Sequence, residues 1–274
     1  MGGFFFMKKL LIILVIALLL YMIVCALVYV FQQKFIFIPQ KGSQPPPEDL
    51  AIKELWINSG GEKLHAWWMP VDTSAYTVLF FHGNAGNISR GEKYMRLFRE
   101  MGFNALAVDY RGYGTSSGQI NKEEDIYEDA RASWDYLHKT LGIEESNIII
   151  WGWSLGGAVA VDLAQYKHCH ALVMQSTFYC MLDMAKRNFW YIPNFLTLKY
   201  DFASGDKLAN VKCPVLFIHG RHDHTVPWSQ GIKLFEKCKG KKMFIEIEGD
   251  HNHGLFDSKD KFIPEALPFL KEKK

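Results

Sequence analysis

Hydrophobic positions along the chain follow two periods. Short apolar runs rich in β-branched and aromatic residues recur at 52–57, 63–71, 77–81, 104–110, 147–152, 171–176, 215–220 and 243–248. Runs of that length and composition predict strands. Most gaps between them carry apolar residues at three- and four-residue spacing, at about 88–101, 121–140, 155–167, 228–239 and 260–272, which predict helices. Mostly apolar strands separated by helices predict an α/β fold, with a mostly parallel eight-stranded sheet covered by helices on both faces. The first two strands are joined only by "NSGGE" and predict an antiparallel hairpin.

Two segments depart from this alternation. Leu10–Phe31 is an unbroken run of uncharged residues. As a helix it extends roughly 33 Å, enough to cross a bilayer. The alternative is a cleaved signal peptide, whose apolar region is ordinarily about 7–15 residues. This run is longer, and the chain stays apolar to Ile38, so an uncleaved transmembrane anchor at 10–31 is expected after a short tail at 1–9. Lys8 and Lys9 precede the run, while Lys34 and Lys41 follow it. The small charge bias and the free N-terminus favour a single-pass protein with its domain on the non-cytoplasmic side. Residues 32–51 contain three consecutive prolines and predict a stiff spacer before a domain at 52–274. The second departure is 177–210, a long crossover with eight aromatics, predicted to form a cap of two short helices.

Composition narrows the partners. Beyond Lys8 and Lys9 the charges balance at 29 basic and 29 acidic residues, with no basic stripe for nucleic acid. None of the five cysteines forms a Cys-x-x-Cys pair, and Cys169, Cys180, Cys213 and Cys238 are read as buried thiols. The histidines at 219, 222, 224, 251 and 253 match no metal-ligand spacing and are read as loop histidines.

Candidate chemistry centres on "GWSLGG" at 152–157. Gly-x-Ser-x-Gly is common by chance, but here a strand leads in and a helix leads out, as a nucleophile elbow at Ser154 requires. An acid and a base are then needed. "HGRHDHTVP" supplies Asp223 after one strand, and "EGDHNHG" supplies His251 and His253 after the last. "FFHGNAGN" follows the strand at 77–81, and the amides of Asn84 and Leu155 are the candidate oxyanion donors. His82 is expected to hold loop geometry, and Asp109 to fix the Arg111 loop by a salt bridge. Asp250 adjoins His251, but its side chain should point away.

These blocks, with "VDYRGYGTSSG", resemble those of membrane-anchored serine hydrolases with an α/β-hydrolase domain, the single-pass relatives of bud-emergence-type hydrolases. The resemblance covers about residues 52–272. It implies the α/β-hydrolase fold, a Ser154-Asp223-His251 triad, and hydrolysis of esters, thioesters or amides without a cofactor. In that family the base precedes Asn, as His251 does, and the motif often continues His-Asn-Asp. Here His253 stands third and is the alternative base.

The expected activity is therefore that of a membrane-tethered serine esterase or thioesterase acting on a small-molecule or lipid acyl substrate. A serine peptidase of the same fold and a non-catalytic scaffold binding a partner or lipid are the alternatives. Aromatics of 177–210 are expected to line an acyl pocket, with Lys186, Arg187 and Lys199 meeting headgroups.

Overall fold

The computed structural model describes residues 2–71, 76–194 and 198–272. Strands β2 (Lys53–Ser59), β3 (Glu62–Met69), β4 (Thr77–Phe81), β6 (Asn104–Val108), β7 (Ile148–Trp153), β8 (Ala171–Gln175), β9 (Val215–Gly220) and β10 (Lys242–Ile247) form one sheet. Its order is β10-β9-β8-β7-β4-β6-β3-β2. β2 and β3 pair antiparallel, as does β3 with β6, and the remaining pairs are parallel. Two two-residue strands, β1 (Ile38–Pro39) and β5 (Ala85–Gly86), pair outside this sheet.

The central strands have no wet face, which is why their sequences read as continuous apolar runs. Leu79, Leu106 and Ile150 point into one core, with Ala158, Val159 and Trp134. Val78, Phe80, Ala105, Ile149 and Trp151 point into the other, with Phe98 and Phe262. The helices are α1 (Gly2–Ile36), α2 (Glu92–Glu100), α3 (Glu123–Asp135), α4 (Leu155–Ala164), α5 (Met181–Asn188), α6 (Ser204–Lys207), α7 (Trp228–Lys237), α8 (Gly254–Asp257) and α9 (Lys259–Leu270). Cys169, Cys213 and Cys238 are buried, with the first two sulfurs 3.0 Å apart, whereas Cys180, expected to be buried, is partly exposed at the start of α5. In the 177–210 crossover, α5 and α6 are both helical, and Phe195 lies outside the described residues.

The N-terminal region differs from expectation. The helix is continuous from residue 2, not confined to 10–31, and Phe4–Ile36 is long and apolar enough to cross a membrane. The segment that follows is pinned to the domain rather than spanning open space. The Ile38 and Gln40 amides donate to the carbonyls of Asn84 and Gly86, and Asn87 Nδ2 donates to those of Gln40 and Gly42. Phe37 is buried against Tyr200 and Phe202. Prolines stiffen a segment whichever way it runs, so composition could not separate a spacer from a strap.

Candidate active site

Ser154 sits between β7 and α4 with φ 55° and ψ −119°. A non-glycine residue there is strained, and such strain persists only where the surroundings enforce it. The flanking glycines supply that enforcement. A Cβ on Gly152 would strike the Gly156 carbonyl, and one on Gly156 would strike the Phe81 carbonyl. The Ser154 amide donates to the Gln175 carbonyl at 2.9 Å, and the Thr177 hydroxyl donates to the Ser154 carbonyl at 2.9 Å.

Asp223 follows β9 and His251 follows β10. The His251 Nδ1–H donates to Asp223 Oδ2 at 2.7 Å. Asp223 Oδ1 is occupied by the amides of Thr225 and Val226, at 2.9 and 2.8 Å, so the carboxylate is locked. Both side chains are buried. His219 lies behind them, its Nε2 3.5 Å from Asp223 Oδ2. Burial pushes the His219 imidazole below its ordinary value, and its Nε2–H is directed to the Val226 carbonyl at 2.9 Å. Asp223 is thus left to His251. On the opposite side the Trp153 indole packs 5.7 Å from the His251 ring and donates to its carbonyl at 3.3 Å.

The two candidate bases separate cleanly. His253 is exposed, and its ring bonds to Asp250, at 3.1 Å. Hydrogen bonds from the His253 side chain and from the backbone amides of His253 and Asn252 hold the Asp250 carboxyl at about 2. Asp250 is turned toward His253, away from His251.

Asn84 and Leu155 meet Ser154 at one cavity. Leu155 opens α4, so its N–H has no carbonyl within the helix. The Asn84 N–H belongs to the Gly83–Asn84 peptide, whose carbonyl is held by His82 Nδ1 at 2.8 Å. In a trans peptide the N–H points opposite the C=O, so His82 aims the Asn84 donor. His82 Nε2 stands 3.4 Å from Asp109 Oδ1.

That pairing corrects the expectation for Asp109. Arg111 is held by Asp129, Glu128 and Asp125 instead, with Arg111 Nη2 2.7 Å from Asp129 Oδ1. Asp109 faces inward, to His65, His82 and the Ile88 amide. Burial acts to raise its carboxyl, but hydrogen bonds with His65 and His82 outweigh it and hold it below the usual range. Asp109 and Arg111 both lie beyond the end of β6, where the chain turns, so their closeness in sequence does not fix whether the two side chains face each other.

The cavity has a volume of about 230 Å³ and is mainly apolar. Val28, Phe35 and Ile36 of α1 line one wall, and Met181, Met184 and Ala185 of α5 face them. Of the eight aromatics in 177–210, only Phe178 and Phe189 line it among the described residues. Tyr200 is buried, while Trp190 and Tyr191 are 80% and 50% exposed. Among the described residues no group of three or more His, Cys, Asp or Glu could hold a metal ion.

A serine elbow after β7, an acid–histidine pair after β9 and β10, and a mostly parallel sheet define an α/β-hydrolase. The sequence profile of the prolyl oligopeptidase family matches residues 91–273, so the chain belongs to that family and is a hydrolase. It is 32% identical over 278 residues to the α/β-hydrolase domain-containing protein WAV2 of Arabidopsis thaliana, covering 90% of each chain. It is 36% identical over 203 residues to α/β-hydrolase domain-containing protein 17C of Xenopus tropicalis, covering 71% of this chain and 64% of that one. Among solved structures, an esterase of Pyrococcus furiosus superposes with a TM-score of 0.71 at 23% identity, covering 86% of this chain and 98% of that one.

Proposed function

We propose that this hydrolase is a membrane-tethered serine esterase that cleaves carboxylic ester or thioester bonds. Ser154 is the nucleophile, His251 the base and Asp223 the orienting acid. His251 Nε2 takes the Ser154 proton as the hydroxyl oxygen attacks the acyl carbonyl. Asp223 fixes the tautomer through Nδ1–H and stabilises the imidazolium. The amides of Asn84 and Leu155 receive the developing oxyanion, each worth roughly 2.7–4 kcal/mol. His251 returns the proton to the leaving group, and water then releases the acyl group from Ser154 by the same route. Helix α1 is the tether, with the domain on the non-cytoplasmic side, and residues 177–210 are the cap.

The observation that carries the ester reading is the cavity lining. None of its described lining residues is charged, so a peptide terminus finds no counter-ion there, whereas an acyl chain finds an apolar wall. The second reading, a serine peptidase, is favoured by the family's name alone. The test is hydrolysis of p-nitrophenyl esters and of aminoacyl p-nitroanilides by full-length protein in detergent. Ester turnover that Ser154→Ala abolishes is expected. Faster anilide than ester turnover would move the assignment to the peptidase.

A further inference from the structure

The last turns of the membrane helix are part of the pocket wall. Along α1 the residues turned from solvent are Cys25, Val28, Gln32 and Ile36, spaced by three and four on one helical face, with Gln33 beside Gln32. That face is gripped along its length. The Tyr21 hydroxyl donates to the Tyr191 carbonyl at 2.8 Å, and Gln32 Oε1 accepts the Lys199 amide at 2.8 Å. Asn84 Nδ2 donates to the Ile36 carbonyl at 2.9 Å. From Tyr21 to Ile36 this is roughly 22 Å of helix at 1.5 Å per residue.

A 33-residue apolar helix is longer than a bilayer's hydrocarbon needs. A crossing by about the first 20 residues of Phe4–Ile36 ends near Tyr21 and places it at the edge of the hydrocarbon. Tyr191 is bonded to Tyr21, so the exposed rings of Trp190 and Tyr191 lie at the same level, with Lys186 beside them. Trp and Tyr favour that boundary, and Lys reaches headgroups from it. The cavity lies between the same helix and α5.

Resting on the assignment of Ser154 as nucleophile, we infer that the substrate is a lipid ester dissolved in the bilayer. Its acyl chain reaches Ser154 laterally, between α1 and α5. Val28 and Phe35 are therefore specificity-determining residues rather than parts of a passive tether. Each methylene seated against them contributes about 0.8 kcal/mol, nearly fourfold per carbon.

The test uses full-length protein in phosphatidylcholine vesicles, with acetyl, hexanoyl, decanoyl and myristoyl p-nitrophenyl esters. Val28→Trp narrows the wall, and the decanoyl-to-acetyl ratio of kcat/KM should fall at least tenfold. Phe35→Ala widens it, and the preferred chain should lengthen by two or more carbons. If Val28→Trp does not fold, Phe35→Ala still decides. Ratios within twofold of wild type in the folded variants, with turnover still lost in Ser154→Ala, would overturn this inference alone. Turnover retained by Ser154→Ala would instead overturn the assignment beneath it.

Discussion

Replacing Asp223 by Asn probes the site through a single proton. Asp223 Oδ1 accepts the amides of Thr225 and Val226, while Oδ2 accepts the His251 Nδ1–H at 2.7 Å. An asparagine keeps its carbonyl oxygen on the two amides, because only an acceptor satisfies them. Its NH2 group then faces His251 Nδ1 and forces that nitrogen to be an acceptor. The imidazole proton moves to Nε2, where the Ser154 proton must go, and the base is blocked. A wrong tautomer of this kind costs about 10⁴ in kcat, or roughly 5.4 kcal/mol. The fold should survive, since the two amide hydrogen bonds persist and the third is kept with its direction reversed. The assay is p-nitrophenyl butyrate hydrolysis beside a thermal melt. A folded Asp223→Asn protein with kcat within tenfold of wild type would refute the tautomer argument.

His253→Ala should keep most ester turnover and His251→Ala should lose as much as Ser154→Ala, since base and nucleophile act as one unit; kcat for the three variants checks this. Gly156→Ala drives a Cβ into the Phe81 carbonyl, so denaturant melts should show at least about 1–3 kcal/mol lost, with activity falling too. The third concerns pH. Burial lowers the His65 imidazole, but hydrogen bonds with Asp109 and Glu54 outweigh it and hold it above its ordinary value. That contribution is complete below about 6.5 and is lost as pH rises through the raised folded value. The depressed Asp109 carboxyl contributes above about 3.9, and its share is lost as pH falls through its folded value. The Tm gap between wild type and Asp109→Asn should therefore be widest from about pH 4 to about 6.5; a gap that grows toward pH 9 would contradict this.

The sheet was legible because its strands carry buried apolar residues on both faces, as "NIIIWG" does, and because loop lengths limit the connections. The elbow was legible because Gly152 and Gly156 are demanded by backbone contacts that no other residue allows. The choice between His251 and His253 was not, because two residues apart in a turn they differ only in direction. Direction is decided by Asp223, 28 positions away in sequence. Nor was the α1 wall. An apolar helix reads the same whether lipid or protein covers it, and Val28 and Ile36 look like their neighbours. Gln32 and Gln33, polar residues at the end of that run, were the local sign that part of the helix meets protein. Arg111 shows the same limit, since its partners lie one helix away on α3.

The central claim is that Ser154 carries the acyl group. Full-length protein can be treated with a fluorophosphonate, digested, and its peptides mapped by mass spectrometry. The account predicts one adduct, on Ser154, abolished by Ser154→Ala and strongly slowed by His251→Ala. A folded protein with no adduct, or an adduct on another residue, would contradict it.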